Sequence, residues 1–192
     1  MSCEMIEKSY TEVLANLAER NTTRQTEWAN SDKIDLAFKA MEFADEMGEM
    51  IEAYTELRQS EPQDGGKALE LFKEEVADTV ICLSLIANEI GIDLQWTCHR
   101  REELDAMVID RLALKTVSEG LLVAGQIKKV IRGRKGILGT TSDMDGVQDQ
   151  IRAYIGSLDV FMMKTYLKLS EIVPDKFNKT SEKYGCKTKD IT

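Results

Sequence analysis

Proline and histidine are scarce in this chain: two prolines, Pro62 and Pro174, and one histidine, His99, among 192 residues. With five phenylalanines and an excess of Leu, Ala, Glu, Lys and Met, the composition favours helices and argues against an all-β fold. A single histidine also argues against a helical-bundle di-iron centre, which needs Glu-x-x-His on two helices. No uninterrupted apolar stretch reaches the ~18 residues of a membrane span, so no membrane partner is expected. The N-terminus MSCEMIEKSY has no basic segment followed by an apolar run, so no secretory signal is expected there. The four cysteines, Cys3, Cys82, Cys98 and Cys186, form no C-x-x-C and no zinc-like spacing. They read as reduced thiols of a cytoplasmic protein. G-x-x-x-x-G-K-[ST] is absent, which excludes a P-loop.

What is present is an ordinary globular balance, 43% hydrophobic and 31% charged, enough to bury a core. The net charge of −9 divides unevenly, with −15 on residues 1–110 and +6 on residues 111–192. Because the basic half keeps its own apolar periodicity, it reads as a folded element rather than a nucleic-acid-binding tail. These halves are the expected units: an N-terminal repeat over 1–110 and a C-terminal one over 111–192, together one all-α body.

Lys73 to Gly91, KEEVADTVICLSLIANEIG, is apolar nearly all round from Val76 to Ala87, the pattern of a buried helix. Thr79 and Ser84 can bond back to the preceding turn; Asp78 cannot. A carboxylate withdrawn from water needs a cation or a set of donors. Glu75, three residues earlier, shares its face. A Lys or Arg partner for Asp78 meets that need as well as a metal ion does.

Apolar spacing predicts a helix over Cys3–Arg20, broken by Asn21-Thr22-Thr23, and a second over Lys33–Gln59 capped by Ser31 or Asp32. After the turn cluster Glu61–Gly66, the buried helix ends at Gly91. Further helices are expected over Leu94–Val108 with Asp93 as cap, over Leu112–Arg134 and over Gln148–Ile172. A short one opens at Pro174 and runs to Lys183, and Gly185 onward is expected to fray. MGEMIEAYTELRQ (47–59) is echoed by AGQIKKVIRGRKG (124–136), and EEVADTVICLSLIANEIGID (74–93) by YIGSLDVFMMKTYLKLSEIVPD (154–175). The expected fold is therefore all-α, a bundle of two helix-pair repeats.

Glu46 and Glu49 are three apart on one helix, and Glu75 and Asp78 three apart on the next. A short loop makes these helices antiparallel neighbours. Four carboxylates converging from two facing helices form a ligand set for a hard cation, Mg²⁺ or Mn²⁺. E-x-x-E, 25 residues, then E-x-x-D resembles the MazG-like family of all-α nucleoside triphosphate pyrophosphohydrolases. DEMGEMIEAY and EEVADTVICLSLIANEIGI are close to its core pattern, and FNKTSEKYG (177–185) resembles its closing segment. The resemblance covers residues 37–95 well and 120–185 more loosely.

It implies that Glu46, Glu49, Glu75 and Asp78 bind Mg²⁺ or Mn²⁺ and that Glu46 or Glu49 activates water. The substrate is then an NTP or dNTP cleaved between its α and β phosphates, in control or cleansing of the nucleotide pool. The second repeat departs from the pattern, with Val123, Gln126 and Gly156 in three acid positions and only Asp159 retained. A degenerate repeat rich in Lys128, Lys129, Arg132, Arg134 and Lys135 is then expected to supply phosphate contacts, joined by Asn178 and Lys183. The resemblance also implies a homo-oligomer, a dimer or larger, and no nucleic-acid partner. Trp28, Trp96 and Tyr54 are candidates to stack on a base. Two alternatives stand beside this: a dUTP hydrolase of the all-α dimeric type, and a non-catalytic helical interaction module.

Overall fold

The structure, a computed structural model, describes residues 3–28, 34–94 and 102–189. The described residues are all-helical, without strands: α1 (Cys3–Trp28), α2 (Leu36–Gln59), α3 (Gly65–Ile90), α4 (Glu102–Asp105), α5 (Ile109–Arg134), α6 (Met144–Lys164) and α7 (Leu169–Lys183). Among these residues no helix is long and apolar enough to cross a membrane.

Asp35 caps α2, its carboxylate accepting the Phe38 amide at 2.8 Å. This ties down an orphan amide at the helix start. The expected caps Ser31 and Asp32 lie outside the described residues. α3 is buried on most of its faces, and its Thr79 and Ser84 hydroxyls donate to the carbonyls of Val76 and Ile81 at 2.8 and 2.9 Å. Gly91 closes it at φ +73, a backbone conformation that glycine adopts without strain.

The internal echo corresponds to two helix hairpins, α2–α3 and α5–α6. α5 lies on α2, and Gly120 is what permits the approach: a Cβ there would stand 2.0 Å from the Met47 sulfur and 3.1 Å from Tyr154. One hydrophobic core runs through both hairpins, with Tyr54, Phe72 and Phe161 in mutual contact at 5.0–5.7 Å between ring centroids. α1 and α7 pack on α3 and on each other.

Several boundaries differ from expectation. α1 does not break at Asn21-Thr22-Thr23. Asn21 is buried and donates to the Ile81 carbonyl at 2.9 Å and to Ser84, while Thr22 and Thr23 bond back one turn. Leu94 is not helical, residues 95–101 (with Trp96, Cys98 and His99) lie outside the described residues, and among the described residues of the helix expected to Val108 only α4 is helical. α6 starts at Met144, capped by Asp143. The helix expected over 148–172 is interrupted after Lys164 by a turn in which Tyr166 has φ +60. Pro174 does not open α7 but sits inside it, removing one backbone donor. Nor are residues 185–188 loose: the Cys186 amide reaches the Ser181 carbonyl at 2.8 Å, and Glu27 accepts the amides of Lys187 and Thr188.

Candidate metal and phosphate site

α2 and α3 bring the predicted acids together. One carboxylate oxygen each from Glu46, Glu75 and Asp78 lies within 4.8 Å of the others, a grouping able to hold a metal ion. Glu49 is more exposed and stands outside this grouping, beside Glu75 across the α2–α3 seam.

The electrostatics record the crowding. Burial first, then the charges of Asp78, Glu49 and Glu75, push the Glu46 carboxyl up to about 8. Burial also raises Glu75, to about 7, against the pull of Lys176 and with the push of Asp78 and Glu49. Asp78 is raised as well, by burial that outweighs its hydrogen bond and ion pair with Lys176. Like charges in a poorly hydrated place cannot all ionise without a counter-cation. Glu46 Oε2 is, moreover, buried without a hydrogen-bond partner. A buried acceptor costs stability unless something meets it, and a divalent cation held among Glu46, Glu75 and Asp78 would do so. The donor set, all hard oxygens, fits Mg²⁺ or Mn²⁺.

Glu46 and Asp78 open into a cleft of about 450 Å³ between α1, α2, α3 and α7. Its cationic wall was only partly foreseeable. Of the predicted phosphate contacts, Lys183 lines the cleft. Asn178 is half-buried on α7 outside the lining, and none of Lys128, Arg132, Arg134 and Lys135 lines it either. Arg134 pairs instead with Glu89 at 3.3 Å, the carboxylate that Lys39 holds at 2.6 Å. The Arg132 guanidinium lies against Gly139.

The cations that line the cleft besides Lys183 are Lys176 and Lys179 of α7, Lys39 of α2 and Arg24 of α1. Lys176 Nζ stands 2.7 Å from Asp78 Oδ2 and 3.4 Å from Glu74. Burial alone would lower its ammonium, but the hydrogen bonds and charges of Asp78 and Glu74 outweigh that and raise it. Arg24 is almost fully buried. Its guanidinium lies 3.9 Å above the Phe177 ring and donates to the Phe177 carbonyl and to Asn21, both at 3.2 Å.

A signal for the lysines exists in the chain, since Lys176, Lys179 and Lys183 follow the i, i+3, i+7 rhythm of one helical face. Arg24 has none, because its stretch reads as a helix breaker. Of the residues considered for stacking on a base, Tyr54 belongs to the core, 4% exposed, with its hydroxyl on Asp110 at 2.7 Å. The Trp28 side chain and Trp96 lie outside the described residues. Phe38 and Tyr184 are the exposed aromatics lining the cleft.

Comparison with protein-family models, with curated proteins and with solved structures finds no match for this chain.

Proposed function

We propose that the chain is a divalent-metal-dependent nucleoside triphosphate pyrophosphohydrolase, converting an NTP or dNTP and water to the monophosphate and pyrophosphate. The observation that carries this reading is the buried, partnerless Glu46 Oε2 within an acid triad, two of whose members, Glu46 and Asp78, line a cleft together with Lys176, Lys179 and Lys183. The resemblance of residues 37–95 to MazG-like enzymes supports it.

In this reading Glu46, Glu75 and Asp78 hold Mg²⁺ or Mn²⁺. Bound there, the ion would supply charge neutralisation for phosphate oxygens and acidify coordinated water. Glu49, the most solvent-accessible of the four acids, orients the attacking water and takes its proton. Lys179 and Lys183 anchor the triphosphate and stabilise the departing pyrophosphate. Phe38 and Tyr184 offer faces on which a base can lie. Leu114, Leu121 and Leu122, 67%, 57% and 53% exposed on α5, support the oligomeric part of the reading.

The test is release of pyrophosphate from a panel of the eight common nucleotides and dUTP, with Mg²⁺ or Mn²⁺. Asp78→Asn should abolish turnover while helical content is retained, and unchanged turnover in that variant removes the site. Exclusive turnover of dUTP would assign the dUTP hydrolase alternative. The non-catalytic reading draws on the Lys176–Asp78 pair, which compensates Asp78 without any metal. An unchanged melting temperature at millimolar Mn²⁺ favours it.

A further inference from the structure

Lys176 is the cation closest to the acid triad, and its position is hard to reconcile with a passive surface salt bridge. Its side chain is 18% exposed and Asp78 is 21% exposed, with 2.7 Å between Nζ and Oδ2. One ammonium cannot neutralise Asp78, Glu46 and Glu75 together, and Glu46 Oε2 is left without a partner despite it. A divalent ion that used Asp78 would compete with the ammonium for the same carboxylate, since two cations held on one carboxylate repel each other. The lysine is free to yield, because four rotatable bonds separate its charge from α7. On leaving Asp78 it stays on the cleft wall with Lys179 and Lys183.

We propose that Lys176 is a built-in counter-ion that holds Asp78 in the metal-free protein, is displaced when the divalent cation enters, and then serves as a ligand for the substrate's phosphates. This deepens the pyrophosphohydrolase reading and rests on its metal site. It has a consequence that a merely structural ion pair lacks. Metal and anion become coupled through one side chain: the ion frees the lysine for the anion, and the anion, by holding the lysine, clears Asp78 for the ion. Coupling of this kind is reciprocal and equal in both directions.

The experiment measures Mn²⁺ affinity by calorimetry for wild type, Lys176→Met and Lys176→Gln, each with and without inorganic pyrophosphate, after correction for Mn²⁺ bound by pyrophosphate itself. Circular dichroism checks the fold, and Lys176→Gln keeps a hydrogen-bond donor near Asp78 should the apolar variant unfold. Both variants should bind Mn²⁺ more tightly than wild type, on the order of tenfold. Pyrophosphate should strengthen Mn²⁺ binding in wild type and lose most of that effect in the variants. Wild-type binding with equal or weaker affinity in folded variants overturns the displacement and leaves the metal site standing. If neither wild type nor variants bind Mn²⁺, the metal site and this proposal fall together.

Discussion

Replacing Glu46 by Gln should stabilise the metal-free protein and abolish its response to metal. Holding the Glu46 carboxyl at about 8 rather than at the ordinary 4.5 is a bias of up to ~5 kcal/mol toward the uncharged form. The side chain is only half-buried, and solvent screening brings the recoverable part to about 1–2 kcal/mol. For a chain of 192 residues this is ~3–6 °C in Tm. The sign follows from proton linkage. The folded state keeps a proton on Glu46 that the unfolded chain has released, so stability falls as pH rises from 4.5 to about 8. Glu75, raised to about 7, steepens the same fall. Thermal melts in chelator at pH 8.5 should therefore place Glu46→Gln above wild type, and at pH 4 the gap should close because both side chains are neutral. Millimolar Mn²⁺ at pH 8.5 should raise wild type past the variant. A variant that melts below wild type in chelator at pH 8.5 would show that Glu46 is held by donors rather than repelled by neighbours, and the case for a cation there would fail.

Glu49→Gln should lower kcat at least about 100-fold with Mn²⁺ affinity nearly unchanged; a large loss of affinity instead would make Glu49 a metal ligand. Gly120→Val should cost about 1–3 kcal/mol in urea unfolding, because the added carbons meet Met47 and Tyr154. An unaffected midpoint would mean that the Met47 side chain yields and that α5 does not need a glycine there. Glu27→Gln should accelerate hydrogen exchange at the amides of Lys187 and Thr188, which Glu27 accepts, and unaltered protection there would deny the tether. Light scattering should report a dimer or larger that reverts toward monomer when Leu121 and Leu122 are changed to Gln, and a monomeric wild type ends that expectation.

Much of the α2–α3 hairpin is legible in the chain because its signals are local. The Glu61–Gly66 turn cluster and Gly91 mark the ends of α3, the apolar run marks it as buried, and two acid pairs at a helical interval mark the candidate site. What is not legible depends on partners distant in sequence. Asn21, Thr22 and Thr23 favour non-helical backbone in isolation, yet α1 continues through them because Asn21 finds Ile81 and Ser84 on α3. The turn between α6 and α7, Thr165 to Lys168, contains neither Gly nor Pro and relies on a left-handed Tyr166 that no composition rule expects. The same holds for the cations. Basic residues crowd the end of α5, but packing commits Arg134 to Glu89 and delivers the lysines of α7 to the acids.

The bond from Arg24 to the Phe177 carbonyl spans 153 positions of the chain, and with it comes a matter of timing. The wall of the cleft that carries Lys176, Lys179 and Lys183 is made after the acids have emerged, because α7 follows α2 and α3 in the chain. Loop closure over such a span adds little to the free-energy cost but delays the event. Until α7 docks, a nascent chain exposes Glu46 and Asp78 without the lysines of α7, so seating α7 is the moment at which a wall of acids becomes a pocket with two opposed charges.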